Sequence, residues 1–100
     1  MRQAIHAREG GKCFYCLRRT PRRAHCVDHV VPLAQSGSNS FRNLVSCCLN
    51  CNSRKSDLPA ADFLRQLFRE GRLSAKDLSA RLLAVESLAA GKLRPPLPSV

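Results

Sequence analysis

Asp28-His29-Val30-Val31-Pro32-Leu33 stands between two cysteine pairs, Cys13-x-x-Cys16 and Cys48-x-x-Cys51. The reading of the whole chain turns on that insertion. Ala24 to Val31 is rich in β-branched residues and stops at Pro32, which predicts a strand. Gln35-Ser36-Gly37-Ser38-Asn39-Ser40 has the composition of a loop. Asn43-Leu44-Val45-Ser46-Cys47 predicts a short second strand or a turn into one. After Cys51 a helix should open, with Asn50 to Ser53 supplying polar groups to its first turn. Adjacent residues of a regular strand face opposite ways, so Asp28 and His29 can share a site only at a strand end or a bend near Pro32.

The flanking cysteines set the boundary conditions. Two residues between ligands let one tight turn present both sulfurs to one ion, and two such turns make a four-cysteine set for tetrahedral Zn²⁺. The 31 residues between Cys16 and Cys48 exceed ordinary ribbon spacing, so the metal pins the two ends of an inserted element. A closed site of four cysteines has no open coordination position, and this zinc is expected to be structural. Cys26 and Cys47 are left over and read as small buried hydrophobes.

The chain has 100 residues, enough for one domain with a modest core. It has no Trp, one Tyr and four Phe, so large aromatic anchors are scarce and the metal stands in for missing core. No apolar run reaches the length of a transmembrane helix, and the N-terminus lacks the apolar stretch of a signal peptide. A cytosolic location is the expectation, where reduced thiols favour metal ligation over disulfides. A secreted, disulfide-stapled basic protein is the rival.

The formal net charge is +10, and it is unevenly spread. Residues 1–56 hold ten Lys and Arg against two acids, Glu9 and Asp28; residues 57–100 hold seven against five. A cationic half of that kind points to a polyanionic partner, with DNA or RNA first. Arg18, Arg19, Arg22, Arg23, Arg42 and Arg54 are the candidates for phosphate contacts. No amphipathic helix carries the basic block, so a membrane surface is not expected as a partner.

The remainder reads as helix. A short helix is expected before Gly10-Gly11. Pro59 suits a first turn, the stripe of Phe63, Leu64, Leu67 and Phe68 follows, and Gly71 stops it. Ser74 to Asp77 resembles a capping box, with Leu78, Leu82, Val85 and Leu88-Ala89 at helical spacing and Gly91 at the end. Three parts are therefore expected: a core over 1–56, a helical extension over 57–94 packed on or beside it, and a Pro-rich tail over 95–100.

The chemistry lies with Asp28 and His29. A carboxylate among arginines is either an ion-pair partner or a ligand for a hard divalent cation such as Mg²⁺ or Mn²⁺. Phosphodiester hydrolysis needs an activated water, a counter-charge for the phosphorane and help for the leaving oxygen. A histidine can supply the first, and a metal the other two. His25 is expected to support the site or lie at the surface, and His6 to be exposed.

Asp28-His29-Val30-Val31-Pro32, the Gly37 loop, Asn43-Leu44 and Cys48-Leu49-Asn50-Cys51-Asn52 through Lys55 appear in that order. Together they resemble the zinc-knuckle-bearing branch of the HNH endonucleases over about residues 13–56. The resemblance implies an α+β ββα-metal, or His-Me finger, core with the helices added C-terminally. It implies a metal-dependent endonuclease that cuts DNA to leave 3′-hydroxyl and 5′-phosphate ends. In it His29 is the general base, Asp28 and Asn52 hold the Mg²⁺ or Mn²⁺, Asn43 braces the loop that aims His29, and Lys55 stabilises charge near the scissile phosphate. Asn52 departs from the commoner His at its position, and Gly37-Ser38 from the frequent Gly-Gly. The alternative is a zinc-binding nucleic-acid-binding module that kept the scaffold without the chemistry. Monomer and homodimer remain equal expectations.

Overall fold

The computed structural model describes residues 1–35 and 37–96. The residues Leu97, Pro98, Ser99 and Val100, most of the expected Pro-rich tail, lie outside them, as does Ser36 in the loop. Four helices and a two-stranded sheet follow in the order α1 (Arg2–Arg8), β1 (Cys26–His29), β2 (Leu44–Cys47), α2 (Leu49–Lys55), α3 (Ala60–Arg69) and α4 (Ala75–Ala89). The class is the α+β class expected from sequence.

β1 and β2 pair antiparallel, with Cys26 opposite Cys47, Val27 opposite Ser46, Asp28 opposite Val45 and His29 opposite Leu44. The expected first strand is shorter than its β-branched run: Val30 and Val31 leave it, and Val30 N–H bonds the Asn43 carbonyl instead. A 3-10 turn over Phe41–Asn43, capped by Ser40 Oγ, delivers the chain into β2. The far edge of β2 is not left open. Phe14 N–H donates to the Ser46 carbonyl, and Ser46 N–H donates to Glu9 Oε2. Closing that edge satisfies backbone groups that would otherwise be buried unpaired.

Glu9 can do this because Arg8 holds it. The guanidinium makes two bonds to the Glu9 carboxylate, at 3.0 and 2.9 Å. It also donates to the carbonyls of Phe41, Leu44 and Leu93. One nearly buried pair thus ties α1 to the 3-10 turn, to β2 and to the chain beyond α4, and losing one partner of such a pair costs about 3–5 kcal/mol.

The core gathers Phe14, Tyr15, Val30, Val45, Phe63, Leu64, Leu67, Leu73 and Leu88. α3 begins after Pro59 and buries Phe63, Leu64 and Leu67. Phe68, expected on the same stripe, is 41% exposed, because it falls on the flank of a helix whose buried face is already centred on its three neighbours. α4 is capped by Ser74 Oγ, which accepts from Asp77 N–H at 3.0 Å. Its expected stripe of Leu78, Leu82 and Val85 packs against the core, and Leu88 is wholly buried. Gly71 and Gly91 close α3 and α4 at φ +75° and +77°, where a side chain would be strained.

Candidate active site

The cysteine pairs converge. The sulfurs of Cys13, Cys16, Cys48 and Cys51 all lie within 4.8 Å of one another, with Cys16 Sγ and Cys48 Sγ 3.9 Å apart. Four sulfurs about 2.3 Å from a tetrahedral centre would stand roughly 3.8 Å apart, so the cluster could hold a zinc ion with small adjustments. Each turn also aims a backbone N–H at its own first sulfur: Cys16 N to Cys13 Sγ, and Cys51 N to Cys48 Sγ. Cys48 is simultaneously the N-cap of α2. The helix therefore starts two residues before Cys51 rather than after it, with a member of the cysteine cluster itself as its cap.

Crowded thiols perturb one another. Hydrogen bonding from Cys13, then Cys51, draws the Cys16 thiol well down, while the bond with Cys16 pushes Cys13 up and that with Cys13 pushes Cys51 up. Four such groups can all become thiolates only around a cation. Cys47 differs: burial is the main reason its thiol is raised, and it sits fully enclosed opposite Cys26, as packing residues do.

Asp28 and His29 diverge, as their strand positions require. Asp28 is 8% exposed and turns inward. Its Oδ2 accepts from the Tyr15 hydroxyl at 2.6 Å and lies 3.0 Å from Lys55 Nζ. Among the described residues, no hydrogen bond or ion pair engages Oδ1. Burial, and then the Asp28 carboxylate beside it, hold the Tyr15 phenol well above its ordinary pKa, so it remains a donor.

His29, at the last position of β1, is half-buried, and its Nε2 meets Asn39 Oδ1 at 2.7 Å. An amide oxygen is an acceptor only, so Nε2 is the donor in this bond, and in a neutral ring the lone pair is then on Nδ1. The loop that presents Asn39 is fixed by Asn43. Asn43 Oδ1 accepts from Val31 N–H at 2.7 Å, and Nδ2 donates to Val31 O at 3.0 Å and Ser38 O at 2.8 Å. Gly37 fits beneath this clamp for want of a side chain: a Cβ there would stand 1.9 Å from the Val31 carbonyl oxygen.

Lys55 faces inward rather than toward a substrate. The residue is wholly buried, and Nζ donates to the His29 carbonyl at 3.0 Å while pairing with Asp28. This cation therefore joins α2 to the end of β1 and balances the one carboxylate there. A phosphate in solvent could meet it only if both bonds broke. Asn52, one helical turn earlier, is half-buried, and its side-chain amide makes no hydrogen bond among the described residues.

The arginines divide. Arg18, Arg19, Arg22, Arg23 and Arg42 lie toward solvent. Arg54 is bound to Glu70 at 2.5 Å, and that bond raises the pKa of the guanidinium and lowers that of the carboxyl. His6 is not the exposed residue expected. Its ring stacks on His25 at 4.5 Å, and Nε2 bonds the Thr20 carbonyl. His25 is 2% exposed, and its Nδ1 bonds the Arg22 carbonyl, so both rings hold the basic turn onto α1.

Tyr15 and Asn39 are the two contacts of the Asp-His pair that motif reading passed over. Tyr15 occupies an unspecified position of a Cys-x-x-Cys turn, and Asn39 reads only as loop composition. The signal for Asn39 was chemical: it is an amide in the loop that faces a histidine at a strand end.

Residues 13–58 match the family model described as HNH endonuclease. Over 54 residues the chain is 43% identical to the CRISPR-associated endonuclease Cas9 of Actinomyces naeslundii. That match takes in 53% of this chain and 5% of the relative. The crystal structure of the Type II-C Cas9 enzyme from the same organism superimposes with a TM-score of 0.63 at 26% identity. It covers 88% of this chain and 12% of that one. The chain thus spans a small fraction of the relative's length, and the resemblance read from sequence holds over the HNH segment.

Proposed function

Because residues 13–58 carry the HNH match, we propose that this chain is a metal-dependent endonuclease domain that hydrolyses phosphodiester bonds of DNA. The placement of His29 carries the reading. It sits at a strand end, free of the core, with Nε2 tied to Asn39 and Nδ1 available to take a proton from an attacking water. Asn43 fixes the Asn39 loop and so limits how far the ring can turn. Asp28 and Asn52 fit as ligands of a hard divalent ion, since each offers an oxygen that no neighbour engages among the described residues. When bound, an Mg²⁺ or Mn²⁺ ion would offset the charge that develops on phosphorus and on the leaving oxygen. Lys55 acts behind these groups, holding the inner oxygen of Asp28 and the His29 backbone. The four-cysteine cluster takes a structural Zn²⁺ and has no position left for substrate. Arg18, Arg19, Arg22, Arg23 and Arg42 supply phosphate contacts; Arg54 would first have to release Glu70.

The test is nicking of supercoiled plasmid with Mg²⁺ or Mn²⁺ by the parent and by His29→Ala. The parent should nick only with a divalent ion. The variant should lose at least about a hundredfold in rate, the low end for a positioned base, while its melting and its DNA affinity stay unchanged. Nicking by the variant at the parental rate would remove His29 from the mechanism. No nicking by the parent with any divalent ion would favour the binding module.

A further inference from the structure

We propose that Tyr15 is a positioning residue for Asp28, through which the first cysteine turn orients the carboxylate that receives the catalytic ion. The inference rests on the reading of Asp28 as an ion ligand.

Tyr15 lies between two cysteines of the metal cluster, yet its hydroxyl reaches out of that turn to another site. The residue has no exposed surface, and its ring is gripped edge-on by Phe14 and Phe63, each with centroids 5.4 Å away. The turn beneath it is anchored by Phe14 N–H on the Ser46 carbonyl and by Cys13 N–H on the Arg18 carbonyl. From this rigid base the hydroxyl donates to Asp28 Oδ2 at 2.6 Å, in the short range of charge-assisted bonds.

The geometry divides the two oxygens of Asp28. Oδ2 takes both inward donors, Tyr15 and Lys55, and Oδ1 is left for an outside partner. The two donors are not equivalent. Lys55 arrives on a flexible four-carbon stem and is shared with the His29 carbonyl, so alone it fixes a charge but not a carboxylate plane. Tyr15, clamped by two rings, fixes direction. Hydrogen bonds of this kind to a ligand typically change metal affinity by about 10–100-fold. The role needs the hydroxyl only. The packing needs the ring, so Tyr15→Phe separates the two.

The experiment measures Mn²⁺ binding by electron paramagnetic resonance, counting free ion, on zinc-loaded protein. The His29→Ala background is used with and without Tyr15→Phe, and with Asp28→Asn as the control. Zinc content and melting are recorded alongside. Tyr15→Phe should keep one zinc per chain and raise the Mn²⁺ dissociation constant about tenfold. With His29 restored, the Mn²⁺ concentration for half-maximal nicking should rise in proportion, while the rate at saturating Mn²⁺ stays near the parent's. If Asp28→Asn abolishes binding but Tyr15→Phe leaves the constant within twofold, this inference alone falls. If Asp28→Asn also leaves it unchanged, the reading of Asp28 as a ligand fails and takes the inference with it. Loss of zinc from Tyr15→Phe would assign the hydroxyl to folding and overturn the positioning role.

Discussion

Asn43 offers a perturbation whose size can be worked from its contacts. Its side chain makes three hydrogen bonds to main chain, one accepted from Val31 N–H and two donated, to Val31 O and Ser38 O. The residue is 7% exposed, but Val31 and Ser38 lie toward solvent, so water can replace part of what is lost. At about 1 kcal/mol net for each bond, Asn43→Ala should cost about 3 kcal/mol. For a chain of this length that lowers the melting temperature by roughly 12–24 °C. Activity should fall further than stability alone dictates, because the loop bearing Asn39 would no longer hold the His29 ring. A displacement on the order of 1 Å can cost about a hundredfold. Asn43→Asp sharpens the test. Its carboxylate could still accept from Val31 N–H, but the second oxygen would face the two carbonyls that the amide donates to. Burial and those carbonyls would raise the new carboxyl's pKa in the folded state. Measured against the parent at the same pH, the variant should therefore be least destabilised at acid pH, near the unfolded-state pKa of about 3.9, and lose ground as pH rises through the folded value, until it is less stable than Asn43→Ala at neutral pH. Thermal melting across pH, with plasmid nicking at 25 °C, reads both effects. Melting of Asn43→Ala within about 3 °C of the parent, or parental stability of Asn43→Asp at neutral pH, would refute the clamp.

Three other outcomes follow from the same structure. Cys48→Ser removes both a ligand and the cap of α2, so zinc binding should be lost and cooperative melting with it, as circular dichroism and zinc release would report. Arg8→Met leaves Glu9 nearly buried without its partner and frees three carbonyls; a loss of about 3–5 kcal/mol in urea unfolding is expected, with the cysteine cluster still metal-competent. Replacing Arg18 and Arg23 together by Gln should flatten the dependence of log DNA affinity on log salt by about two units if both touch phosphate, whereas Arg54→Gln, already engaged by Glu70, should change that slope by less than one.

The fold was legible where one local rule had no competitor. Ser74 before an amphipathic run gave α4 its start, and the glycines after each run gave α3 and α4 their ends. Strand length was not legible, because Val30 and Val31 look as β-prone as Val27. What ends β1 is Asn43, whose carbonyl takes the Val30 N–H and whose side chain takes the Val31 N–H, and that contact is thirteen and twelve residues away. The start of α2 was missed for a related reason. Cysteine is no ordinary N-cap, but a sulfur already held in a tight turn can accept the Cys51 N–H.

The candidate site was legible in composition and not in direction. Motif order put Asp28, His29, Asn43, Asn52 and Lys55 in one region; contacts place Asp28, His29, Asn43 and Lys55 around the end of β1, and Asn52 lies on α2, the helix that carries Lys55. It could not say that Lys55 faces the core, because a lysine on a short helix is usually solvated. Here the buried Asp28 carboxylate supplies the counter-charge that makes burial of an ammonium tolerable. That pairing also recasts the scarcity of acids in the cationic half. Asp28 is inside because Tyr15 and Lys55 satisfy one of its oxygens, and an oxygen satisfied from behind leaves the other oriented and available. The four-cysteine cluster then has a consequence beyond stability. It fixes the turn that carries Tyr15, and Tyr15 touches the carboxylate, so a single side chain spans the distance between the candidate metal cluster and the candidate catalytic site.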